Sequence, residues 1–130
     1  MIFRRLLRLL TVLATTAFGG LALAQGGPGA GGGVTEADVC KAVHAELQQD
    51  TERRRASLNA ALAARYGVTW QERCLRSQDY FKAVKLLALH AFENHSACGL
   101  PPAAVMEVKG LQGASMQETV QICKRTRERP

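Results

Sequence analysis

Four cysteines, Cys40, Cys74, Cys98 and Cys123, constrain this 130-residue chain more than any other feature. An even number of widely spaced cysteines in a small domain predicts two disulfides if the chain reaches an oxidising compartment. The N-terminus meets that condition. Arg4, Arg5 and Arg8 precede an uncharged apolar run, Leu9 to Phe18, and Ala22-Leu23-Ala24 places small residues ahead of Gln25. This order reads as a secretory signal peptide over residues 1–24; the apolar run is short, and Gly19-Gly20 interrupts it before it could anchor. The expected localisation is therefore periplasmic or secreted, with no stable membrane span after signal cleavage.

Removing that segment takes away three arginines and no acid, so the formal charge falls from +6 to about +3. The basic excess belongs largely to the export signal and to the far C-terminus. No nucleic-acid partner is expected on this ground.

Residues 25–34, "QGGPGAGGGV", bury nothing and read as a flexible Gly-rich spacer before a single domain over 35–130. Thr35 is placed to N-cap a helix whose first turn carries Glu36 and Asp38. That helix is expected to run to Tyr66, with Gly67 just past its end. Thr69-Trp70-Gln71-Glu72 has the form of a capping box and opens a second helix lasting to about Asn94. Within it "KAVKLLALHAF" (82–92) is apolar around much of its circumference, as suits a helix lying between two neighbours. Gly99 and Pro101-Pro102 break the chain, and a third helix extends toward Arg127 with Val105, Val108, Leu111, Met116, Val120 and Cys123 near helical spacing. Gly110 and Gly113 weaken it by about 1 kcal/mol each, which leaves open two shorter helices, the second capped at Ser115. The fold class is all-α, a small three- or four-helix antiparallel bundle.

In antiparallel hairpins, residues equidistant from a turn lie level. Cys40 and Cys98 are centred on Thr69, and Cys74 and Cys123 between Cys98 and Gly99, so each pair brackets a turn located independently from capping signals. The register predicts Cys40–Cys98 and Cys74–Cys123. Cys74–Cys98 would join the two ends of one helix, roughly 36 Å apart at 1.5 Å per residue. Cys40–Cys74 needs a turn near Ser57, where glycine and proline are lacking, although its companion Cys98–Cys123 would turn acceptably near Gly110. The competing chemistry uses the same register. His44 lies one helical turn from Cys40 and His95 nearly one turn from Cys98, so Cys40, His44, His95 and Cys98 form the alternative, a zinc-type ligand set. The exported location, and a second cysteine pair without histidines, favour disulfides and no metal.

Arg53, Arg54 and Arg55 interrupt the apolar stripe between Leu47 and Leu58, and Arg125 and Arg127 belong to the basic end "CKRTRERP". All five are candidate partner-binding residues. The plainer readings are a solvated face with pairs such as Asp50–Arg54, and cations complementing a helix C-terminus. Trp70, Tyr80, Phe81 and Phe92 are expected as core or turn anchors. The chain lacks Cys-x-x-Cys, His-Glu-x-x-His and Gly-x-Ser-x-Gly, so it is not expected to be an enzyme. Met106 or Met116 with a histidine would suit a haem, but such methionines usually pack in a core, and no cofactor is expected.

From "ACGLPPAAVMEVKG" through "ETVQIC" the chain resembles small exported bacterial four-cysteine helical proteins of unknown function. The resemblance covers about Cys74 to Cys123 and rests on Cys98, Gly99, Pro101 and Cys123. It implies a bridged helical scaffold with no assigned activity. The functional expectation is a non-enzymatic binding or envelope-accessory protein with a macromolecular or envelope partner, against a metal-binding alternative.

Overall fold

The computed structural model describes residues 32–128. The expected signal peptide and most of the spacer lie outside that range. Three helices follow in order: α1 (Glu36–Ala63), α2 (Trp70–Asn94) and α3 (Pro102–Glu128). Each starts or stops on identifiable local chemistry. The Thr35 hydroxyl accepts from the Asp38 amide at 3.2 Å while the Asp38 carboxylate accepts from the Thr35 amide at 3.0 Å, a complete capping box. Thr69 caps α2 by accepting from the Glu72 amide at 3.1 Å. The reciprocal half expected there is missing, because the Glu72 carboxylate pairs with Arg76 at 2.5 Å instead.

Helix α1 ends at Ala63, three residues short of the expected Tyr66. Arg73 of α2 explains the stop: its guanidinium donates to the carbonyls of Ala61 at 3.0 Å and Ala64 at 2.6 Å, satisfying the end of α1 from outside. Gly67 and Gly99 then take φ of +79° and +62° in the two turns, conformations that cost a side-chain-bearing residue about 1–2 kcal/mol.

Helix α2 is the middle rod, packed on α1 along one flank and on α3 along the other. Among the described residues no Cα of α1 comes within 8 Å of one in α3. The outer helices meet through side chains: Arg55 binds Glu118, and Leu58 shares a buried cluster with Tyr80, Val84 and Ile122. Leu87, Ala88 and Val108 form a second cluster nearer the Gly99 turn. The buried positions repeat every seven residues: His44, Thr51 and Leu58 in α1; Ser77, Val84 and Ala91 in α2; Val108, Ser115 and Ile122 in α3. A seven-residue period belongs to long helices packed at a shallow angle. Several of these positions carry polar residues, and each buried hydroxyl is satisfied within its own helix. Thr51 donates to the Leu47 carbonyl at 2.8 Å, Ser77 to Cys74 at 2.7 Å and Ser115 to Gln112 at 3.0 Å.

Helix α3 is continuous through Gly110 and Gly113, so it is not split. Its buried line also differs from the expected stripe: Val108 is buried, but Met116 and Val120 are about half exposed, and Ser115 and Ile122 take the inward places.

Candidate functional site

Both disulfides follow the register. Cys40–Cys98 joins the start of α1 to the turn after α2 with Cα atoms 5.0 Å apart, and Cys74–Cys123 joins the start of α2 to the end of α3 at 4.7 Å. Among the described residues there is no free cysteine. Two disulfides are compatible with an oxidising compartment.

The surroundings of the two bridges differ. Around Cys74–Cys123 lie Ser77 and Gln78, which make only long contacts to sulfur. Around Cys40–Cys98 lie histidines, but not the set expected from spacing. His95 ends α2 as its C-cap, is exposed, and shares its Nδ1 with the Phe92 carbonyl at 2.9 Å. His90, five residues back inside α2, takes its place: the ligand atoms of Cys40, His90 and Cys98 all lie within 4.8 Å of one another. The His44 ring stacks obliquely on His90 with centroids 5.6 Å apart. The Nδ1 atoms of both His44 and His90 are buried without a hydrogen-bond partner. Burial, and secondarily the neighbouring His90, hold the pKa of His44 below its ordinary 6.5.

The arginines expected at a partner surface are largely engaged at home. Arg53 and Arg54 both pair with Asp50, at 3.2 and 2.8 Å. Arg55 binds Glu118 and lies 5.1 Å over the Tyr80 ring, so it ties α1 to α3. Trp70 is covered by Arg73 at 4.6 Å on α2 and Arg125 at 5.1 Å on α3. Such stacks contribute roughly 0.5–1 kcal/mol at exposed sites. Arg127 is exposed and in no ion pair among the described residues.

A surface that sequence reasoning missed lies between α2 and α3. Lys85, Ala88, Leu89 and Phe92 face Val105, Lys109 and Gln112 across a groove of about 270 Å³. Phe92 is 65% exposed and Leu89 50%, so Phe92 is neither a core nor a turn anchor, and Met106 nearby in α3 is 66% exposed rather than packed inside. Hydropathy alone assigns such residues to a core. The missing signal was azimuth: α2 carries apolar side chains on three sides but has only two neighbours among the described residues. No helix among the described residues is long and apolar enough to cross a membrane. No protein-family model matches the chain, and no curated protein or solved structure matches it either.

Proposed function

We propose that this is an exported, non-catalytic binding protein of the periplasm or extracellular medium whose α2–α3 groove engages an acidic, amphipathic segment of an envelope protein. The observation that carries this reading is the apolar floor, exposed Leu89 and Phe92 with half-buried Val105, set between Lys85 and Lys109. Neither lysine is in an ion pair among the described residues. Size narrows the occupant. Pockets enclosing a whole small molecule run to roughly 300–1,000 Å³. A groove of about 270 Å³, open along two helices, suits one or two anchoring side chains of a partner helix, with carboxylates meeting the lysines. Apolar side chains exposed on a bridged scaffold are a feature expected of interaction surfaces. The resemblance of the C-terminal part to exported four-cysteine proteins agrees with a scaffold role.

The test is a photo-crosslinking residue at Leu86, an exposed position next in sequence to Lys85, in protein expressed with its native export signal. An adduct to one envelope protein that disappears in Phe92→Asp and weakens several-fold in Lys85→Glu/Lys109→Glu is the expected result. Leu75→Asp, on an exposed position elsewhere on α2, should leave it intact. Crosslinking indifferent to Phe92→Asp, or an adduct of the chain with itself, overturns the reading.

A further inference from the structure

Two imidazoles whose Nδ1 atoms are buried beside one disulfide are not accounted for by packing. A buried ring nitrogen without a partner costs about 1–3 kcal/mol. Native structures rarely leave one so, and the usual explanation is a water, an ion or a chemical role. Here two occur together, His44 Nδ1 and His90 Nδ1, on facing helices. His44 is only 7% exposed. His90 abuts the sulfur atoms, since Sγ of Cys40 and of Cys98 lie within 4.8 Å of one of its ligand nitrogens; His44 follows Cys40 by one turn of α1 and lies against the His90 ring. The other disulfide, of almost the same span, has no histidine near it.

We propose that Cys40, Cys98, His90 and His44 form a zinc-type metal site that the Cys40–Cys98 bridge closes and reduction opens. In the bridged state the sulfurs are bonded to each other and are poor ligands. A dithiol reductant changes this: its two thiols are oxidised to a disulfide, and the Cys40–Cys98 bond takes up two electrons and two protons. The two new thiols then release their protons to solvent as Zn²⁺ binds the thiolates. Two thiolates and two neutral imidazoles make a four-coordinate set of the kind zinc takes in closed sites, with Zn–S near 2.3 Å and Zn–N about 2.0–2.1 Å. Three of the four ligands already cluster and His44 stands beside His90 with ring centroids 5.6 Å apart, so assembly of the site needs the sulfurs to separate and the His44 ring to move in. Cys40 and His90 are only partly buried, which leaves a route for the ion.

Zinc bound per chain is measured after gel filtration, in the bridged protein and in protein reduced with a phosphine, itself a weak zinc ligand. About one zinc is expected in the reduced chain and less than about a tenth in the bridged one. With Co²⁺ the reduced chain should show the sulfur-to-cobalt charge-transfer band and intense visible bands of tetrahedral S₂N₂ coordination. His90→Ala and His44→Ala should each weaken binding at least about tenfold, and His95→Ala should leave it unchanged. The Cys74→Ser/Cys123→Ser variant should bind as the parent does. Three results would overturn the proposal: no zinc in a reduced chain that keeps its helix, equal binding in His90→Ala, or helix lost on reduction that zinc does not restore.

Discussion

At His44 the fold sets a proton balance that solution chemistry would not. The ring is 7% exposed, meets His90 and has its pKa lowered, first by burial and then by that neighbour. Above pH 6.5, the ordinary value, folded and unfolded chains both carry the neutral ring and its contribution to stability is complete. As the pH falls below 6.5 the unfolded chain takes the proton first, so stability drops, until the folded ring also protonates. The urea midpoint should therefore fall further in the parent than in His44→Gln between about pH 7.5 and pH 5. Parallel curves would show that the ring is not held neutral. Asp38 adds a separate acid limb: hydrogen bonds from Thr35 lower its pKa from 3.8, so its effect lies at more acid pH. The residue scale is also where the sequence was least legible. Register placed His95 level with His44 but took no account of azimuth: His95 keeps helical angles, φ −55° and ψ −40°, and stands about 140° around the helix from His90. His90 sits on the face of α2 that meets α1, where its ring lies against His44.

At the scale of the elements, capping chemistry carried most of the information. Thr35, Gly67, Thr69 and Gly99 marked the turns because their roles depend on neighbours a few residues away. The seven-residue packing line was concealed by its own members, since His44, Thr51, Ser77 and Ser115 read as surface residues. Helix α3 shows tertiary contacts outweighing propensity: burying Val108, Ser115 and Ile122 against α2 carries it through two glycines, each of which costs about 1 kcal/mol. A Cβ built at Gly113 or Gly110 meets nothing within 4 Å. Gly113→Ala should accordingly raise stability by about 0.4–1 kcal/mol in urea unfolding. Gly67 is equally open, yet its φ of +79° reverses the sign, and Gly67→Ala should lower stability by about 1–2 kcal/mol. The same direction of change at both sites would contradict the backbone assignment.

For the molecule as a whole, stability rests on two crosslinks more than on its core. Among the described residues the fully buried side chains are few, and the largest is Leu58. In the chain-entropy account, bridges spanning 58 and 49 residues each contribute about 4 kcal/mol. That compares with roughly 5–15 kcal/mol for a typical domain. Cys40→Ser/Cys98→Ser and Cys74→Ser/Cys123→Ser should thus destabilise by similar amounts, within about 1 kcal/mol of each other. Losing both should leave the metal-free chain largely unfolded by circular dichroism; a fully helical double-bridge variant would assign the stability to packing instead. The crossed pairing was legible because it depends on arithmetic between turns and not on any side chain's environment.

The two covalent rings overlap along α2, and this has a consequence for damage. A protease that nicked the Gly67 turn would leave the fragments joined through Cys40–Cys98, and one that cut beyond Gly99 would leave them joined through Cys74–Cys123. Severed at both places, the three rods would still travel as one particle. They would part only in the presence of a reductant.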